Sequence, residues 1–101
     1  MKISWSKRAR SDLQDILAYL VDRAPSSVDW TNDTIHEKVE LLANTPGLGR
    51  PGRISDTREL VITGTPYIVI YAVDRRSNTV MLLRVYHGAR LWPKNFEDVE
   101  K

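Results

Sequence analysis

Apolar residues recur at two different periods along this 101-residue chain. Over Lys2 to Trp5, polar and apolar positions alternate, the period of a short strand. From Ala9 the period lengthens. Ala9, Leu13, Ile16 and Leu20 fall at helical spacing, and Leu17 and Val21 broaden the stripe. Ser6 stands where it can cap that helix. Ala24-Pro25-Ser26-Ser27 breaks it, and a serine there can cap a second helix with Asp29 near its positive end. Val28, Ile35, Val39 and Leu42 form the inner stripe of that second helix. Two such helices with a short link predict an antiparallel hairpin.

Thr45 to Arg53 is rich in Gly and Pro, which ends the second helix in a loop carrying Arg50 and Arg53. Three strands follow, at Thr57 to Ile62, Tyr67 to Val73 and Val80 to Tyr86, separated by turns at Gly64-Thr65-Pro66 and Asp74 to Thr79. The middle one is nearly all apolar and therefore expected at the centre of the sheet. Short turns predict antiparallel neighbours. The expected fold class is α+β, in the order β-α-α-β-β-β, with a helical hairpin packed on one face of a twisted, mostly antiparallel sheet. At this length the chain is expected to form a single domain over residues 1–101.

The net charge of +2 is unevenly spread. Residues 1–45 are nearly balanced, whereas residues 46–94 carry eight Lys/Arg, seven of them arginine, against three Asp/Glu. Arginine's planar fork suits phosphate recognition, so the bias is more than a solubility device. There is no cysteine, hence no disulfide or thiolate chemistry. No residues have metal-ligand spacing, and no cofactor is expected. Gly47-Leu48-Gly49-Arg50-Pro51-Gly52 superficially resembles a dinucleotide fingerprint, but it follows a helix, and Pro51 removes an amide donor. No apolar run approaches the ~20 residues of a membrane span, and a cytoplasmic location is expected.

The candidate chemistry gathers where the last strand runs out, at Arg84-Val85-Tyr86-His87-Gly88-Ala89-Arg90. Strict alternation places Val80, Leu82, Arg84 and Tyr86 on one face, and Met81, Leu83, Val85 and His87 on the other. An unpaired charge avoids the face the helices cover. Arg84 is therefore expected on the open, concave face, with Arg58 joining it across the sheet. A bend at the strand end would aim His87 into the same concavity, where an imidazole can move a proton near neutral pH. Bland alternatives stand beside these. Arg84 can bridge to Glu59 or Asp56, His87 can cap a strand end, and Tyr67 and Tyr71 can serve as sheet packing. His36 reads as a surface residue, while Trp5 and Trp30 read as core or hairpin packing.

Taken together, Ile3-Ser4-Trp5, the hairpin ending Leu41-Leu42-Ala43-Asn44-Thr45-Pro46, Gly49-Arg50-Pro51-Gly52-Arg53 with Thr57-Arg58-Glu59-Leu60-Val61, Pro66 to Tyr71, and Leu83 to Arg90 resemble the RelE/ParE superfamily of toxins from bacterial type II toxin–antitoxin modules. The resemblance implies a sheet like that of a small microbial ribonuclease and a cognate antitoxin that wraps and neutralises the toxin. It also implies one of two targets, messenger RNA on the ribosome or DNA gyrase. The ribosome-dependent endonuclease is the favoured expectation and the gyrase poison the alternative. On the nuclease reading Arg58, Arg84 and His87 are the catalytic candidates, and Arg50, Arg53, Tyr86 and Arg90 the substrate-binding ones. Glu59 should face away from Arg58, which leaves the glutamate base of some ribonuclease members without a counterpart.

Overall fold

The computed structural model describes residues 1–88. Strand β1 (Lys2–Trp5) leads into helix α1 (Lys7–Arg23) and, through a 3-10 turn at Pro25–Ser27, into helix α2 (Val28–Glu40). A second 3-10 turn at Leu41–Ala43 is followed by β2 (Arg50–Pro51), β3 (Arg58–Val61), β4 (Tyr67–Asp74) and β5 (Thr79–His87). The sheet order is β1-β5-β4-β3-β2, so β4 is central, as its apolar run predicts. Only the β1–β5 pairing is parallel among these strands; the others are antiparallel.

Strand β2 lies in what the sequence reads as loop. Two residues suffice because it is an edge strand, a place where Pro51 withholds no ladder hydrogen bond. The cap of α1 is as expected, with Ser6 Oγ accepting from Ala9 N at 3.0 Å. The serine before α2 behaves differently. Ser27 Oγ donates back to Ala24 O at 2.7 Å and makes no cap bond, because the intervening 3-10 turn already aims the chain into α2.

The main core lies between the hairpin and one face of the sheet. Ala9, Ile35, Val39 and Leu42 meet Ile62, Val69, Tyr71, Val80 and Leu82, all fully buried. Each large aliphatic side chain removed from water here stabilises the fold by roughly 1.5–3 kcal/mol. Trp5 packs at the edge of this core with its ring 5.1 Å from exposed His36. Trp30 is not core: it is 54% exposed, lying over Gly64 in the β3–β4 turn.

The second face has a small core of its own. Ile70, Ala72 and Leu83 are buried there, with Ile54, Met81 and Tyr86 packed against them. This face is therefore not the open basin expected from the sequence, because residues 52–57 bring Ile54 across it.

Alternation along β5 holds only to Leu83. Tyr71 stands opposite Leu82 but Ile70 stands opposite Arg84, so Leu83 is an extra residue, a β-bulge. Beyond it the faces exchange. Val85 joins the hairpin-side core and Tyr86 the opposite one, the reverse of strict alternation.

Candidate functional site

Helix α1 finishes the outer edge of β5 where β1 stops. Ser6 N donates to Leu82 O, and Ser6 Oγ donates to Leu83 O, each at 3.0 Å. Two turns further along α1, Asp12 Oδ2 accepts from Val85 N at 2.9 Å and from Arg84 Nε at 2.7 Å, while Oδ1 accepts from Arg84 Nη2 at 3.1 Å. The bulge turns Arg84 toward this edge. The expectation that Arg84 lies on an open face is thus corrected. It is a structural bridge, as the bland reading has it, but its partner is Asp12 rather than Glu59 or Asp56.

Arg58 does not join Arg84. It stands opposite Tyr71 on the hairpin side of the sheet, and its Nη1 donates to Gly49 O at 2.7 Å and Gly47 O at 3.4 Å. His87 stands opposite Tyr67 with the two rings edge to face, centroids 5.7 Å apart. Arg84 and His87 border a cleft of about 660 Å³ between α1 and the ends of β4 and β5, floored by Ile16, Leu20 and Tyr67 with Asp15 and Tyr19 on the rim. Arg58 does not line it. The three catalytic candidates are therefore divided between the cleft and the loop before β2.

The substrate-binding candidates fare differently. Arg50 stands opposite Glu59, and its Nε and Nη2 both donate to Glu59 Oε1, at 3.1 and 2.9 Å. Glu59 is 5% exposed, whereas the Arg50 side chain is 58% exposed. Tyr86 senses the same charges. Burial, reinforced by the Glu59 carboxylate, raises its phenol above the ordinary tyrosine value, and Arg53 and Arg50 pull it back. Arg50, Arg53, Tyr86 and Glu59 thus form one polar group on the face opposite the hairpin. Arg90 lies outside the described residues.

The sequence reading assigns Asp12 no role, and Glu59 only that of a bridge partner for Arg84. Asp12 directly precedes Leu13 on the inner stripe of α1, a weak signal that the carboxylate reaches the sheet. Glu59 does face away from Arg58, as alternation requires, and that puts it beside Arg50. Among the described residues there is no group of three or more metal-ligating side chains, and no helix is long and apolar enough to cross a membrane.

Residues 3–92 match the family described as "ParE toxin of type II toxin-antitoxin system, parDE". The chain is 39% identical over 93 residues to "Putative toxin Y4kP" of Sinorhizobium fredii, covering 92% of this chain and 94% of that one. Its fold is similar to a chain of the chromosomal ParDE system from P. aeruginosa, with a TM-score of 0.76 and 24% identity over 86% of this chain and 95% of that chain. It is also similar to a chain of the RelBE2 toxin–antitoxin complex from Mycobacterium tuberculosis, with a TM-score of 0.61 and 26% identity over 85% of this chain and 95% of that chain. The family match spans both helices and, apart from Lys2 of β1, all five strands, and the chain belongs to the ParE family of type II toxin–antitoxin toxins, within the RelE/ParE superfamily.

Proposed function

We propose that this toxin acts by binding a protein target, as a DNA gyrase poison of the ParE type, rather than by cleaving messenger RNA. The observation that carries the reading is the dispersal of Arg58, Arg84 and His87. Cleavage of RNA by its own 2′-hydroxyl needs a proton acceptor, a donor and cations around one phosphate. Here Arg84 is bound by Asp12, and Arg58 reaches loop carbonyls away from the cleft that Arg84 and His87 border. A binding module needs no such gathering. The contact surface we assign is the segment before β3, where Leu48, Arg50 and Arg53 are all exposed, with Tyr86 beside it. Arginine and tyrosine are enriched at protein interfaces, and the same segment exposes the apolar Leu48. The same positive surface complements an acidic antitoxin segment.

A nuclease reading keeps one specific support. Glu59 is a carboxylate among Arg50, Arg53 and Tyr86, a placement in which it could accept a proton. The experiment that separates the two is pulse labelling of DNA and protein synthesis within minutes of inducing the toxin alone. An early fall in DNA synthesis with translation intact is the expected result. An early fall in translation would overturn the proposal and favour messenger RNA on the ribosome.

A further inference from the structure

The loop that presents Leu48, Arg50 and Arg53 is tied down from beneath by two side chains of the sheet. The Tyr71 side chain is fully buried, and its hydroxyl accepts from Gly49 N at 2.8 Å and donates to Pro46 O at 2.7 Å. Arg58, its neighbour across β3 and β4, donates to Gly49 O at 2.7 Å. Both main-chain groups of Gly49 are thereby held by side chains. The approach leaves no space at that residue: a Cβ there would lie 2.7 Å from Tyr71 Cε1 and 2.8 Å from Glu59 O. The next residue, Arg50, turns to the other face and lies along Glu59. The segment is thus gripped on both faces of β3, by Arg58 and Tyr71 on one side and Glu59 on the other.

We propose that Arg58 and Tyr71 are positioning residues for the contact segment: they fix the Pro46–Gly49 backbone so that Arg50 and Arg53 are presented in one arrangement to the target. This rests on the assigned contact surface and not on the identity of the target. Arg58, a catalytic candidate on the nuclease reading, here binds peptide carbonyls. Rigid presentation matters because two long arginine side chains on a mobile loop lose the affinity that ordering them on contact costs.

The test follows amide hydrogen exchange at Gly49 in the full chain, beside growth inhibition on induction, for Arg58→Ala, Arg58→Lys and Tyr71→Phe. The amide of Val69, fully buried in β4, reports global unfolding. Loss of the hydroxyl in Tyr71→Phe is expected to speed Gly49 exchange about tenfold, the equivalent of one ordinary hydrogen bond. Arg58→Ala is expected to speed it as well, although Arg58 does not touch that N–H, and Arg58→Lys to restore part of the protection and of the toxicity. Val69 exchange, which requires global unfolding, should stay far slower than that of Gly49 in all three, showing that the fold persists. Lost toxicity in Arg58→Ala with Gly49 exchange unaltered would overturn the proposal, since Arg58 would then contact the target itself. A loosened loop with full toxicity would overturn it too, leaving the latch without a part in function. An error in the target's identity would show instead in the labelling pattern of the unmodified toxin.

Discussion

Asp12 and Arg84, 72 positions apart in the chain, meet through two hydrogen bonds of 2.7 and 3.1 Å, and the same carboxylate also takes the amide of Val85. One side chain of α1 thus closes the edge of β5 that β1 leaves open beyond Leu82. Both partners are mostly buried, with side chains 20% and 15% exposed. Loss of either leaves a desolvated charge behind.

Arg84→Ala and Asp12→Ala should therefore each destabilise the fold by roughly 2–4 kcal/mol. Asp12→Ala should be the worse, because Val85 N also loses its acceptor. Urea denaturation with unchanged m-values would measure this. Loss of toxicity in Arg84→Ala then reports a weakened fold. A variant that stayed fully stable while losing toxicity would return Arg84 to the list of functional groups.

Gly49 and Gly47 lie two residues apart in one loop and should respond oppositely to alanine. At Gly49 a methyl group meets the Tyr71 ring and the Glu59 carbonyl, whereas at Gly47 nothing lies within 4 Å. Gly49→Ala should cost about 1–3 kcal/mol through overpacking. Gly47→Ala should be neutral or stabilise by up to about 1 kcal/mol, because it restricts the unfolded chain. Paired thermal and chemical denaturation would resolve the two.

Much of this fold is legible in the sequence because it rests on local periodicity. Ala9 and Leu13 mark α1, Ile35 and Val39 mark α2, and the apolar run from Tyr67 marks a central strand. What defeats the reading is a single residue. Leu83 is inserted opposite no partner, and every side chain after it changes face. Nothing local in Leu82-Leu83-Arg84-Val85 signals a bulge, because Leu83 is as apolar as its neighbours and is buried on the far side. Its setting is tertiary: Ser6 takes the carbonyls of Leu82 and Leu83, and Asp12 takes the amide of Val85. Arg84 is expected on the open face as an unpaired charge, but Asp12, far away in the chain, supplies its partner; it still borders one cleft with His87, on the helix side of the sheet and without Arg58. Arg50, Arg53 and Tyr86 were named but not grouped, because their association with Glu59 depends on β2, a strand too short to have a period.

Stability should fall at high pH. Burial raises the Tyr71 hydroxyl above its ordinary value of 10.0, outweighing the Gly49 amide and the Arg58 charge, and burial raises Tyr86 in the same direction. The unfolded chain then loses these protons first. Stability is full below about pH 10 and declines as pH rises toward the folded values, because the native state holds more protons. Denaturation midpoints between pH 8 and 11 should show the decline, and Tyr71→Phe should make it shallower. A flat profile would mean that the Tyr71 hydroxyl is less enclosed than its contacts with Pro46 and Gly49 indicate.

Glu59 offers the sharpest separation of binding from catalysis. Glu59→Gln keeps the side chain's size and an oxygen that can accept from Arg50, while removing the charge and most of the basicity. Arg50 is more than half exposed, so solvent already screens the pair, and the change should cost only about 1 kcal/mol of stability. A proton acceptor in RNA cleavage, in contrast, contributes some 10²–10⁴-fold to rate. If the toxin works by contact, Glu59→Gln should still arrest growth, and so should His87→Ala, whereas reversing charge with Arg50→Glu and Arg53→Glu together should abolish the arrest. Growth curves after induction, scored beside soluble toxin levels, give the answer. Survival of cells carrying Glu59→Gln at wild-type toxin levels would move the chemistry to the Glu59–Arg50–Tyr86 group and with it the target to RNA.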